Sequence, residues 1–279
     1  RSIRSAIGER LSRLSESAQQ VLSEASVLGQ TFAFSDLSAM QRRPEEQVDD
    51  ALDDALMASL IRATDKDRFS FNHALTQQTL YDELPARRRT RLHLSAAEAL
   101  ERLPEVTRQR RAAELAWHFL QADEGTRALP YAMVAGDQAE AVFAHTEAIQ
   151  HYHTALELAH AIEDQSREAE ALGKLGGVLR LGMQFDQALD VLERAAAAYR
   201  ALDDPEGEAR ATYQIGNVLH LRGQPTESAA RVRATVERLE RLSGPPSFQR
   251  ALAHLYWALA VPLNITGQHA SILATSARI

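Results

Sequence analysis

Three short stretches decide how this chain folds: Met133-Val134-Ala135-Gly136, Gly173-Lys174-Leu175-Gly176 and Tyr213-Gln214-Ile215-Gly216. Their closing glycines stand 40 and again 40 residues apart. Twelve residues beyond each comes a small residue (Ala148, Ala188, Ser228), and four further on a large one (Tyr152, Leu192, Val232). Self-similarity at a fixed period of this length marks a stack of repeated supersecondary units. Two antiparallel helices that pack closely need small residues where their axes approach. Leu, Ile, Tyr and Val at i, i+3, i+4 spacing supply the apolar stripe. One such hairpin cannot bury its stripe alone, so neighbours must stack.

Turn signals agree with this frame. Gly182 with Phe185-Asp186, and Gly223-Gln224-Pro225, fall between the helices of a pair; Asp203-Asp204-Pro205 and Gly244-Pro245-Pro246 fall between pairs. Gly267-Gln268 echoes Gly223-Gln224 44 residues on, which predicts a fourth unit with a longer step, truncated at Ile279. The array resembles the tetratricopeptide repeat, in which small residues occupy these positions and a large residue follows the second. The resemblance covers about residues 126–279 and departs in length, since that family's unit has about 34 residues.

The first helices of such a stack line its binding face. The inward positions outside the core are Met133, Asp137 and Glu140, then Glu170 and Arg180. Arg210, Tyr213, Asn217 and His220 follow, then His254, Trp257 and Asn264. This mixture of Arg, Asn, His and aromatics suits a protein or peptide segment, or a small polar effector. Plain solvated helix faces are the alternative.

Ahead of the repeats, residues 9–28 read as one amphipathic helix ended by Gly29. A short helix is expected near 36–41, capped by Ser35 or Asp36, and a third from Pro44 to about Leu60. Leu60-Ile61-Arg62-Ala63 and Arg68-Phe69-Ser70-Phe71 form a hairpin around Asp65-Lys66-Asp67. A helix then opens near His73 and ends at Leu84-Pro85. Three helices, a hairpin and a return helix describe a winged helix. The expected fold is therefore mainly α: a winged-helix domain with linking helices over 1–105, then a tetratricopeptide-like superhelix over 106–279.

The third helix carries Glu45, Glu46, Asp49, Asp50, Asp53 and Asp54, with no Lys or Arg from 45 to 60. Those carboxylates would repel a duplex carrying about one charge per 1.7 Å. Net charge is −7 at pI about 5.8, so direct nucleic-acid binding is not expected. Arg87, Arg88, Arg89 and Arg91, with Arg108, Arg110 and Arg111, read as the opposite patch, suited to another domain or a second copy of the chain; solvation is the default reading. The chain holds no Cys, which removes disulfides, thiolate metal sites and Cys nucleophiles. No apolar run approaches the ~18 residues that span a bilayer, and the expectation is a cytoplasmic protein without membrane contact.

Phe69-Ser70-Phe71-Asn72-His73-Ala74-Leu75, Leu80-Tyr81, Leu84-Pro85-Ala86-Arg87-Arg88-Arg89 and Glu114-Leu115-Ala116-Trp117-His118-Phe119-Leu120 carry a second resemblance. With Arg10-Leu11 to Gly29, they look like the winged-helix segment of the STAND signalling ATPases, including MalT-like and large LuxR-type regulators. In that class the segment lies between a nucleotide-binding domain and a repeat sensor. The resemblance implies a regulatory fragment, with its own ATPase domain as a partner and ATP or ADP as cofactors of the intact protein. It also implies that His73 stands where a Met-His-Asp histidine contacts bound ADP, with Asn72 and Ala74 in place of the flanking Met and Asp. The chain begins at Arg1 without Met and stops inside a repeat, which fits a piece of a longer protein.

Within the chain itself no catalytic constellation is legible. Gly177-Val178-Leu179-Arg180-Leu181-Gly182 lacks the Lys and hydroxyl of a phosphate loop. His151 and His153 point about 200° apart on a helix, so no metal site is expected. The fragment reads as a non-enzyme. An adaptor whose repeats assemble partners without nucleotide control is the alternative.

Overall fold

The computed structural model describes residues 8–41, 43–242 and 246–265, with side chains described as far as residue 260. It divides into two compact units, Arg1–Tyr131 and Ala132–Ile279. In the first unit the helix over 112–121 packs on the helix over 86–101.

In the first unit the expected 9–28 helix is broken. Ser15 Oγ accepts from Ala18 N at 3.1 Å, starting α1 (Glu16–Ala25) afresh; such a cap satisfies an otherwise orphaned N–H. A 3₁₀ turn, Ser26–Leu28, and Gly29 at φ 107° end it. Then come β1 (Thr31–Ala33), α2 (Phe34–Met40), α3 (Glu45–Met57), β2 (Ile61–Asp65), β3 (Arg68–Phe71) and α4 (Ala74–Asp82). α5 (Ala86–Glu101), α6 (Glu105–Arg110) and α7 (Ala112–Gln121) complete it. The strands form a small antiparallel sheet in the order β1-β3-β2, with Thr31 opposite Ser70 and Ile61 opposite Phe71. The hairpin stands where expected. β1 is an addition: three residues are too few for alternation to register. Leu22, Leu37, Leu52 and Phe71 are fully enclosed around this sheet and α1–α3.

Several arginines of the expected basic patch are committed internally. Glu24, 8% exposed, is clasped by Arg43 at 2.9 Å and Arg88 at 3.4 Å. Arg111 reaches both oxygens of Asp36 at 2.8 Å and Glu114 at 2.6 Å, the fork geometry that makes arginine pairs specific. On α3, Glu45, Glu46, Asp49, Asp50 and Asp53 are exposed.

α5 and α7 meet through two histidines that the surface cannot reach. His93 and His118 are both 0% exposed, with Nδ1 atoms 3.0 Å apart; His93 Nε2 lies 3.0 Å from the Tyr81 hydroxyl. One ring must donate and the other accept, so at least the accepting ring is neutral. Trp117 packs edge-on against His93 at 4.8 Å, and Arg89 sits 5.0 Å over Tyr81. Burial, the partner histidine and Arg89 depress His93 to about 3, and burial with Arg111 depresses His118 to about 4. The unfolded chain takes up these protons near pH 6.5, whereas the folded one does not. Stability is therefore full above pH 6.5 and lost as pH falls from there toward 4 and 3. At pH 5 the loss is about 2 kcal/mol per histidine. Urea denaturation at pH 7.5 and 5 should show it, and His118→Leu should remove roughly half of the slope; an unchanged slope would rule the pair out as its source.

From Gly125, in the last helix that the first unit enters, and on through the second unit, helices start on a ruler of twenty residues. α8 (Gly125–Ala141), α9 (His145–Ala161), α10 (Gln165–Leu181), α11 (Phe185–Ala201) and α12 (Pro205–Leu221) are each 17 residues long, and α13 (Pro225–Leu239) starts on the same count. α14 spans Pro246–Ile265. Ala251, Leu255 and Ala258 are buried 40 residues after Ala211, Ile215 and Val218. The first helix of the fourth pair thus keeps the step of 40; the 44-residue echo at Gly267-Gln268 lies outside the described residues.

Every connection from α7 to α13 uses one turn. Asp123, Phe143, Glu163, Met183, Asp203 and Gly223 all have φ between 52° and 76°. After each, the next N–H reaches back five residues, as Gln184 N does to Leu179 O at 2.9 Å, while Met183 N bonds Arg180 O. This is the left-handed helix stop in which orphan carbonyls are satisfied. Asp164 and Asp204 then cap the next helix by accepting from Arg167 N and Gly207 N.

The glycines of the frame sit where the helices touch. A Cβ on Gly136 would lie 2.4 Å from the Tyr152 ring, one on Gly176 2.4 Å from Leu192, and one on Gly216 2.8 Å from Val232. These are the residue pairs that the 16-residue offset singled out.

Glycine occupies only the last of the six left-handed turn positions. A left-handed non-glycine residue costs about 1–2 kcal/mol, of which glycine returns about half through unfolded-state entropy. Met183 is 76% exposed and loses little contact. Met183→Gly is therefore expected to stabilise the protein by roughly 0.5–1 kcal/mol, read as a higher denaturation midpoint. A fall in the midpoint would contradict the strain argument.

Candidate functional site

A cavity of about 550 Å³ opens on the first helices of the second unit, within the range of ligand pockets. Glu140 comes from α8, Glu170 and Lys174 from α10, Arg210, Tyr213 and Gln214 from α12, and His254 from α14. The floor contains Gly173 and Gly177, where α10 presents bare backbone.

The charged groups around it are held in place. Lys174 Nζ lies 2.5 Å from Asp137, and Arg210 pairs with Glu206 at 2.6 Å. Arg167 pairs with Glu170 at 2.8 Å. The Tyr152 hydroxyl donates to Asp137 at 2.6 Å, with Glu140 at 3.1 Å. Burial, then the Asp137 hydrogen bond, push that phenol well above its usual range, so it remains a donor. Arg180 Nε donates to Gln214 Oε1 at 2.9 Å. Since Arg can only donate, this fixes which way the Gln214 amide faces and leaves its NH₂ on the side of Gly177.

Tyr199 enters from a second helix, α11. It is 9% exposed, its ring lies where a Cβ on Gly207 would come within 2.2 Å, and its hydroxyl reaches the floor beside Gly173. Burial raises its phenol while Arg210, hydrogen-bonded to it, acts the other way. Behind it, Glu208 is 1% exposed and takes Arg200 at 2.7 Å and Arg238 from α13. Three helices are thereby tied at one carboxylate.

Of the residues read from sequence, Arg210, Tyr213 and His254 come together in the cavity, with Glu140 and Glu170. Arg180 stands behind Gln214 rather than in the lining. Asn217 and His220 are half-buried on α12 outside it. Trp257 is 55% exposed, its ring 6.5 Å from that of Tyr213. Met133 is 4% exposed and belongs to the core, not the groove. The Asn264 side chain lies outside the described residues. Lys174, Gln214 and Tyr199 were missed, the last because only first helices were considered. Gly207, a glycine in the first turn of α12 and eight residues after Tyr199, was the available signal.

His73 is exposed at the N-terminus of α4; its backbone carbonyl accepts from Thr76 N at 2.9 Å and its imidazole makes no cap. Asn72 donates to Ser59 O at 2.7 Å, closing the hairpin. A second cavity of about 540 Å³ in the first unit is bordered by Asp36, Arg68, Arg111 and Glu114, whose Arg111 is already fully paired. No helix among the described residues is long and apolar enough to cross a membrane.

No family model matches the chain, and no curated protein matches it. Its fold is similar to solved structures. BtubC (BKLC) from P. vanneervenii aligns at TM-score 0.53 and 12% identity, covering 72% of this chain and 83% of that one. Aspartyl phosphate phosphatase F from Bacillus subtilis aligns at 0.53 and 11%, covering 98% and 73%. A STAND protein with a tetratricopeptide repeat sensor from Pyrococcus horikoshii aligns over 100% of this chain and 55% of that one, at 10% identity and a TM-score of 0.38 that carries no weight. The chain is thus a mainly helical protein with tetratricopeptide-like repeats.

Proposed function

We propose that the second unit binds a protein or peptide segment in the cavity on its first helices, and that the whole chain is the regulatory arm of a STAND-type ATPase, of the kind found in bacterial transcription regulators. The cavity carries the binding reading: it draws charged and aromatic side chains from four successive helical pairs, and a segment lying across them contacts every repeat at once. The regulatory reading is supported by the sequence resemblance of the first unit, with its hairpin, the helix opening at His73 and the acidic α3. In this reading that unit is a winged helix whose third helix faces a protein partner, not DNA, and ligand binding biases the nucleotide state by favouring one arrangement.

A thermal-shift screen of this chain against peptide pools and metabolites should yield stabilising hits that Arg210→Ala weakens at least tenfold; hits indifferent to that change would place binding elsewhere. In the intact ATPase, His73→Ala is expected to weaken ADP retention and raise basal output. Unchanged retention would remove His73 as a nucleotide contact.

A further inference from the structure

The helical glycines of the second unit fall into two kinds. Gly136, Gly176, Gly207 and Gly216 have no room for a Cβ, which would lie 2.2–2.8 Å from a neighbouring side chain. Gly173 and Gly177 differ: a Cβ at 173 would be 3.5 Å from the Tyr199 hydroxyl, and one at 177 3.9 Å from Gln214 Nε2, both ordinary contacts or looser. Packing therefore does not demand glycine at either position, and glycine inside a helix destabilises it relative to alanine. Both have φ in the ordinary helical range, so no turn requires them either.

What the two glycines do is leave space. At the same frame positions the preceding repeat carries Met133 and Asp137, and the following one Tyr213 and Asn217. In the middle repeat alone both side chains are absent, and the cavity lies over that gap. Its walls are Tyr213 from α12, the hydroxyl of nine-tenths-buried Tyr199 below, and the oriented Gln214 amide beside it. Lys174 and Arg210 also line it, each paired with a carboxylate, together with Glu140 and Glu170.

The geometry points to a subsite in which the bound segment supplies the missing side chain: an aromatic residue lying flat on the bared backbone of Gly173 and Gly177, against the Tyr213 ring. A planar group suits a surface without Cβ atoms, which allows close approach to helix backbone. An aromatic neighbour favours offset or edge-on ring contact. The Gln214 NH₂ can donate to a hydroxyl at its edge, and the Tyr199 hydroxyl oxygen can accept from a hydroxyl or indole N–H. This inference rests on the groove reading and specifies its selectivity.

Two measurements test it. Gly173→Ala and Gly177→Ala should each raise the melting temperature by about 2–4 °C, while the adjacent Gly176→Ala should lower it. A lowered melting temperature for either of the first two would make those glycines packing residues and overturn the proposal. Nine-residue peptide pools, each fixed at the central position as Trp, Tyr, Phe, Leu, Ala, Glu or Lys, are then compared by fluorescence polarisation. Aromatic-fixed pools should bind at least tenfold more tightly than the alanine-fixed pool. The double variant Gly173→Met with Gly177→Asn, which restores the neighbours' pattern, should abolish that preference with the fold intact. Binding that depends on Arg210 without aromatic preference, or a preference that survives the double variant, would overturn the subsite and leave the groove standing. No binding by any pool would overturn both.

Discussion

The structure of the second unit depends on one contact made three times: a glycine on a first helix accepting the large side chain that stands sixteen residues later on the second. Tyr152 lies against Gly136, Leu192 against Gly176, Val232 against Gly216. Where the axes come this close, a single Cβ would have to displace a ring or a branched chain in an interior that resists change by even one methylene. The contact also fixes the depth at which the helices of a pair interdigitate, and therefore which side chains face the cavity. Lys174 and Tyr213 are neighbours of the frame glycines in sequence, and their placement follows from that register.

The first unit is ordered by polar contacts as much as by apolar ones. Glu24 between Arg43 and Arg88, Arg111 on Asp36, and the buried His93–His118 pair each bind segments far apart in sequence. Removing one partner from such an arrangement leaves the other uncompensated, which costs more than the pair contributes. This unit is therefore specified by individual matches, whereas the second is specified by a period. The exposed carboxylates of α3 remain outside these matches and give the unit an acidic face.

That difference explains what could be read from the sequence. A period is visible without any knowledge of contacts, so the 40-residue frame, the small-to-large pairing and the hairpin at 61–71 were legible. β1 was not, because strand identity in Thr31–Ala33 comes from pairing with β3 and not from alternation. The helix break at Ser15 was hidden by apolar residues that keep helical spacing across it. In the cavity, Arg210, Tyr213 and His254 were found because they project from first helices at regular intervals. Met133 was misplaced because inward positions differ in depth, and Tyr199 escaped because its approach breaks the repeat. The two floor glycines looked like members of the same series as Gly176; only the space around each separates them.

A stack built on a uniform ruler has an inherent ambiguity, since sliding a helix by forty residues would present nearly the same apolar stripe to a different neighbour. The Tyr199 ring seated on Gly207 is a contact that does not recur at that spacing. The corresponding positions one repeat earlier hold Ala159 and Arg167, and one repeat later Leu239 and Ser247, so neither can imitate this junction. The pair sets the junction of α11 and α12 apart from the others, and the same Tyr199 reaches with its hydroxyl to Gly173 on the α10 backbone.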